Sequence, residues 1–348
     1  MSKNGQGRFF EDFHLGDELI HATPRTVSEA DTVLYLALTG TRFAINSSDP
    51  FARLLGLPRA PLDDFLAFHI VFGKTVPDIS RNAVANLGYA AGIFGALLYP
   101  GDTVTARSTV IGLRENSNRQ TGTVYVRSVG LNQRGETILD YIRWVMVRKR
   151  DPDAPAPPPA VPTLPPAVMG HELRIPSGLA LAPYDRTAAG SCHGFDDYRP
   201  GERIDHLDGM TIEEAEHAMA TRLYQNTAKV HFNLHTERAG RFGRRLIYGG
   251  HVISLARALS FNGLANGFKV AALNSGRHVA PCFAGDTLYA WSEVLEKTEI
   301  MGRQDLGAVR LRTIATKDRP CADFPLKQGD AYHESVVLDL DYWVLMPR

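Results

Sequence analysis

The chain has 348 residues, with 38 Lys plus Arg, 38 Asp plus Glu and a hydrophobic fraction of 44%. That length suits two ordinary globular domains, and zero formal net charge without a polybasic run leaves no footprint for nucleic acid. No stretch approaches about 18 uninterrupted apolar residues, so no membrane span is expected.

The opening MSKNGQGRFFEDF has no apolar signal core, and Cys192, Cys282 and Cys321 are too scattered for a metal site or a disulfide framework. They read as structural thiols of a protein in a reducing cytoplasm.

In chain order, a short start leads to the Gly turn LGDEL and a helical stretch over Val27–Leu38, with Ser28 as its N-cap. An irregular segment precedes an apolar helix over about Asp64 to Lys74. Three β-rich segments follow, TVTARSTVIGL, TGTVYVRSVGLN and ETILDYIRWVMV, divided by Gly/Asn/Asp turns. The run DPDAPAPPPAVPTLPPAVMG excludes a helix or central strand, because proline removes donors and restrains φ; it reads as an extended linker. Residues 171–194 either continue it or pack on the surface.

The same order then recurs. PGERI leads to a helix over Ile212–Leu223, with Thr211 as N-cap. An apolar helix runs from about Gly250 to Leu264, with Val252, Leu255, Ala256 and Leu259 on one face. The strands are TLYAWSEVLEK, AVRLRTIATKD and ESVVLDLDYWVL.

The recurrence is also one of residues. At an offset of 185, Phe10, Asp12 and Gly16 fall on Phe195, Asp197 and Gly201, and Thr26, Glu29 and Ala30 on Thr211, Glu214 and Ala215. Arg53 and Arg59 fall on Arg238 and Arg244. At 184, Gly101-Asp102-Thr103 meets Gly285-Asp286-Thr287, and Arg119-Gln120 meets Arg303-Gln304. Both copies end in an aromatic-aliphatic run, from Trp144 and from Trp343. Solenoid periods are about 20 to 50 residues, so this is a duplicated domain. One apolar helix against an antiparallel sheet, twice, predicts an α+β double hot dog: residues 1–150, a Pro-rich linker 151–190, and residues 191–348.

Two stretches of the second copy can carry chemistry. In YQNTAKVHFN, Asn226 and His231 combine a polar amide with a side chain that titrates near neutrality. In RRLIYGGH, Gly249 and Gly250 open the apolar helix, where free backbone N–H groups suit a carbonyl that becomes enolate-like. His251 is either a second catalytic group or a structural histidine.

Together these stretches resemble the MaoC-like hydratases, the (R)-specific enoyl-CoA hydratases. Their motif runs roughly Ser/Thr-Gly-Asp-x-Asn-Pro-x-His, then a Gly-containing helix start. The resemblance implies that the motif's Asp and His activate water and move the α-carbon proton, while the later Gly N–H holds the thioester oxygen. The motif His falls on His231 and the Gly on Gly249. The Asp falls on Asn226, a departure. The first copy, Thr39-Gly40-Thr41-Arg42-Phe43-Ala44-Ile45-Asn46, has Thr41 for Asp and Asn46 for His, so it is expected to be inactive and to help form the pocket.

An amide cannot act as a base. Either His231 does the proton work alone while Asn226 places the water, or the substrate brings a carboxylate that an Asp would repel. Arg222, Arg244 and Arg245, with Arg238, are candidates to bind such a carboxylate. RFFEDFHLGDELIHATPRTVSEAD, YQNTAKVHFN and RRLIYGGHVISLARALSFNGL are similar to the mesaconyl-CoA hydratase branch of the family. That likeness implies reversible hydration of mesaconyl-C1-CoA to (2R,3S)-β-methylmalyl-CoA.

Three alternatives stay open: a general (R)-3-hydroxyacyl-CoA dehydratase, a thioesterase using Asp63 or Asp64, and a non-catalytic acyl-CoA-binding protein. The expected ligand is an acyl-CoA substrate. No metal or other cofactor is expected, and a homo-oligomer is expected on symmetry grounds.

Overall fold

The computed structural model describes residues 3–348; Met1 and Ser2, the first residues of the expected N-terminal domain, lie outside the described residues. The first copy comprises β1 (Glu18–Thr26), α1 (Glu29–Thr39), α2 (Asp64–Thr75), β2 (Ala83–Phe94), β3 (Thr103–Glu115), β4 (Thr121–Leu131) and β5 (Thr137–Arg148). The second comprises β6 (Arg203–Asp205), the short strand Met210–Thr211, α3 (Glu214–Leu223), α4 (Gly249–Leu259), β7 (Lys269–His278), β8 (Thr287–Glu299), β9 (Leu306–Lys317) and β10 (Val336–Pro347).

One sheet runs through both copies in the order β1-β3-β4-β5-β2-β7-β10-β9-β8-β6, with Met210–Thr211 added on β8. Every pairing along it is antiparallel, and β2 joins β7 across the two copies, with Tyr89 opposite Gly276 and Gly92 opposite Leu273. The central helices α2 and α4 pack on this curved sheet, one per copy, as a double hot dog.

The repeat is legible atom by atom. Asp102 accepts from Tyr99 N–H at 2.9 Å, and Asp286 from Phe283 N–H at 2.9 Å. Gly122 leaves room for the Phe10 ring, and Gly307 for Phe195. His21 bonds Ser108, which bonds Ser128; His206 bonds Ser292, which bonds Thr313. These buried chains satisfy polar groups inside each barrel, where an unpaired group would cost roughly 1–3 kcal/mol.

Thr211 lies in a strand paired with Thr287, so it does not cap α3; Glu213 holds that position. The apolar helix expected to reach Leu264 ends at Leu259, and the chain breaks at Asn262 and Gly263, where φ is +102°. Residues 160–189 strap the outside of the sheet. Trp343 Nε1 donates to Val168 O at 3.0 Å, and Val168, Leu173, Leu179 and Leu181 are buried. Each such side chain contributes about 1.5–3 kcal/mol of apolar burial.

The central helices meet at equivalent positions: His69 Nε2 lies 2.8 Å from Ser254 Oγ, 185 residues later. Tyr35 OH donates to the same hydroxyl at 2.9 Å. Near this crossing, a Cβ on Gly73 of α2 would lie 1.8 Å from Tyr224 O. An Ala in place of a mid-helix glycine ordinarily gains about 1 kcal/mol. Here the clash reverses the sign, and Gly73→Ala is expected to lose more than about 2 kcal/mol in urea unfolding. Equal or greater stability would contradict the close approach.

Candidate active site

Beyond the end of α3, the chain turns sharply: Gln225 adopts φ +54°, the left-handed region that Gly40 occupies at the equivalent place in the first copy. This turn buries Asn226, whose N–H donates to Thr221 O at 2.9 Å. The Asn226 Oδ1 accepts from Ala228 N–H at 3.0 Å, so the amide orientation is settled by a backbone donor. With Oδ1 held by the backbone, the Asn226 NH₂ points away from Ala228 and is free to donate.

A 3₁₀ turn, Lys229–His231, then delivers the imidazole. His231 Nδ1 lies 2.9 Å from Leu246 O. A carbonyl only accepts, so Nδ1 carries the proton and Nε2 carries the lone pair. Nε2 makes no hydrogen bond among the described residues. Leu246 N–H closes the clasp by donating to Val230 O at 3.0 Å. Burial pushes the ring's pKa down to about 4, so at neutral pH it is an uncharged base.

Three residues after Leu246, α4 begins. No protein acceptor takes the Gly249 or Gly250 N–H among the described residues, as expected for a first helical turn. Glycine is required at both positions. A Cβ on Gly249 would lie 2.4 Å from the His278 ring, and one on Gly250 2.4 Å from the Tyr248 ring. His217 Nε2 accepts from Tyr248 N–H at 2.8 Å and so helps hold the helix entrance. The Tyr248 and His231 rings stand 5.5 Å apart.

A cavity of about 570 Å³ reaches Asn226 and Phe232, on either side of His231 in the chain, and its walls come from both copies: Gly73, Lys74 and Pro77 from the first, Arg222, Asn226 and Phe232 from the second. Lys74 is buried, and burial together with the Arg25 charge lowers its pKa to about 8.

Of the arginines expected to meet a substrate carboxylate, Arg222 is on this wall and exposed. Arg245 pairs with Glu214 at 2.6 Å; in the first copy Glu29, the counterpart of Glu214, is paired by Arg59, one position off the repeat register. Arg244 lies 3.8 Å over the Phe283 ring. Arg238 is exposed, and His251 is fully buried with Nδ1 unpartnered. Asp63 caps Phe65 N–H and Asp64 pairs with Lys269, so both carboxylates considered for hydrolysis are engaged.

The first copy shows what divergence has changed. Asn46 Nδ2 donates to Pro61 O at 3.2 Å, and position 61 corresponds to Leu246. The amide thus repeats the Nδ1 bond of His231 but has no basic nitrogen behind it. In the same loop Phe43 packs edge to face on Phe261 at 5.3 Å, with Arg257 over the Phe43 ring and Arg42 over the Phe261 ring.

A family model described as mesaconyl-CoA hydratase matches residues 2–157. β-Methylmalyl-CoA dehydratase of Chloroflexus aurantiacus is 64% identical over 348 residues, covering 100% of this chain and 99% of the relative. The chain belongs to the mesaconyl-CoA hydratase family. A second member, mesaconyl-CoA hydratase of Cereibacter sphaeroides, is 58% identical over 346 residues, covering 99% of this chain and 100% of the relative. The crystal structure of a MaoC domain dehydratase from Chloroflexus aurantiacus superposes with a TM-score of 0.98 at 64% identity, covering 100% and 99% of the two chains. A Mycobacterium tuberculosis protein described as a double hot dog gives 0.77 at 25% identity, covering 98% and 99%. The resemblance to this family read from the sequence is borne out.

Lys74, His217 and His278 escaped sequence reasoning. Lys74 sits in the last turn of a helix, where a lysine normally reads as a solvated end, and the histidines lie in apolar or strand-like segments without a motif.

Burial lowers the pKa of six histidines, 69, 206, 217, 231, 251 and 278, all below the ordinary 6.5. The unfolded chain therefore takes up protons first, and stability falls as pH drops from about 6.5 towards 4. A melting temperature that declines through this window is expected by calorimetry; a flat one would contradict the buried neutral rings.

Proposed function

We propose that this protein reversibly hydrates mesaconyl-C1-CoA to (2R,3S)-β-methylmalyl-CoA, with His231 as its one acid–base group. The observation that carries the reading is the His231 ring, neutral, donating through Nδ1 to Leu246 O and presenting a free Nε2 beside a helix start with open N–H groups. The names of the two relatives similar along the whole chain supply the substrate.

In the hydration direction, His231 Nε2 takes a proton from water held by the Asn226 amide N–H. The water oxygen bonds to the carbon β to the thioester, and the π electrons move into the thioester as an enolate. The Gly249 N–H, with Gly250 beside it, holds that oxyanion. The proton on His231 passes to the α carbon, restoring the base. Dehydration is the reverse. The added hydroxyl goes to the carbon that carries the substrate's free carboxylate. An aspartate at position 226 would face that anion at a cost of several kcal/mol, which supports an amide there.

The first copy is non-catalytic in this reading, because its equivalent of His231 is Asn46, which has no basic nitrogen. Cys282 and Cys321 are buried and unpaired, in keeping with a reducing cytoplasm, and the substrates are the acyl-CoA and water. A homo-oligomer remains the expected assembly. No described helix is long and apolar enough to cross a membrane.

The test is loss of enoyl-thioester absorbance with mesaconyl-C1-CoA and with crotonyl-CoA, run beside a free-thiol assay. Rapid loss with mesaconyl-C1-CoA and no thiol is expected; thiol release would instead establish a thioesterase. His231→Asn copies the first domain's own solution. It should fold with an unchanged melting temperature while kcat falls by about 1,000-fold or more. Retained activity would remove His231 from the mechanism.

A further inference from the structure

Three lysines are less than a tenth exposed: Lys74, Lys149 and Lys269. Burying an ammonium is costly unless it is paired. Lys149 pairs with Glu115 at 2.7 Å and Lys269 with Asp64 at 2.6 Å. Lys74 pairs with no carboxylate among the described residues. It donates one of its three protons to Thr23 O, and its charged neighbour Arg25 is already engaged by Asp31 and by Leu223 O. The buried guanidiniums Arg143 and Arg257 are covered by the faces of Phe72 and Phe43 and do not line the cavity. Lys74 has no such cover and stands on the cavity wall.

The fold does not ask for a lysine there. The equivalent position of α4 is Leu259, a buried core residue, and the equivalent of Arg222 is Ala37. Both cations are thus confined to the open cavity. Its lining contains no Asp or Glu, and the Asn226 amide N–H adds a further donor. Two cations and a donor without an acid describe a place for an anion on the Asn226 side of the candidate site.

We infer that Lys74, assisted by Arg222, is the subsite for the free carboxylate of a dicarboxylic acyl-CoA and sets specificity against unbranched monocarboxylic acyl-CoAs. This rests on the proposed hydration, in which that carboxylate lies one bond from the carbon that water attacks.

The experiment compares wild type, Lys74→Met and Lys74→Arg on mesaconyl-C1-CoA and crotonyl-CoA. It also compares thermal shifts with the unreactive methylsuccinyl-C1-CoA and butyryl-CoA. Lys74→Met should lose about 100-fold in kcat/KM on mesaconyl-C1-CoA, mostly through KM, with turnover of crotonyl-CoA unchanged or higher. Lys74→Arg should recover part of the loss. The ligand-free melting temperature of Lys74→Met should not fall, since an unpaired buried charge is removed; a merely structural lysine would lower it.

The shift given by methylsuccinyl-C1-CoA, but not that of butyryl-CoA, should disappear in Lys74→Met. Equal loss on both substrates, or undiminished preference for the dicarboxylic ligand, overturns the assignment. Loss of that preference in Arg143→Met instead would move the carboxylate into the core. If wild type leaves mesaconyl-C1-CoA unreacted, the functional reading fails, while the binding comparison still decides the subsite.

Discussion

The hydrogen bond from His231 Nδ1 to the Leu246 carbonyl ties the Asn226–His231 loop to the chain entering α4, and the rest of the candidate site follows from it. It selects the tautomer, turns Nε2 outward, and holds the ring near the open N–H groups of Gly249 and Gly250. Because the acceptor lies three residues before the helix start, the His231 ring and the Gly249–Gly250 turn are held as one piece. Burial then removes the charged form from neutral pH, so the ring is ready to accept a proton rather than already carrying one.

Duplication shows which part of that arrangement is structural. The first copy retains the bond, Asn46 to Pro61 O, and drops the basic nitrogen. Around that loop Phe43 and Phe261 pack together under two guanidiniums. Yet the first copy contributes the C-terminal turn of α2 to the cavity of the second copy. The functional unit is therefore the pair of copies, joined by the β2–β7 pairing and the crossing of α2 and α4.

Much of this was legible in the sequence, for physical reasons. The offset of 185 holds from the first turn through the central helix, so the repeat could be read before any fold was assigned. The strands rich in branched and aromatic residues declared themselves. By contrast, β2 and β7 carry ANLGYAAG and KVAALNSG, low in β-branched residues because Gly88, Gly92 and Gly276 must admit Trp144, Leu273 and Tyr89. Small residues chosen for close approach erase the strand pattern. Asn226, His231 and Gly249 were singled out by their motif, and the structure brings the Asn226–His231 loop onto the chain that enters α4 at Gly249. The arginines were not separable by sequence: the Arg245–Glu214 pair and the Arg244–Phe283 stack depend on contacts between distant segments, as does the isolation of Lys74.

The account turns on the state of one imidazole. Nitrogen-15 NMR of selectively labelled enzyme, with His231→Asn to assign the signal, reads it directly. The account predicts a neutral ring protonated at Nδ1, with an unprotonated Nε2 resonance that persists from pH 8 down to about pH 5. An imidazolium at pH 7, or a neutral ring protonated at Nε2, would contradict it.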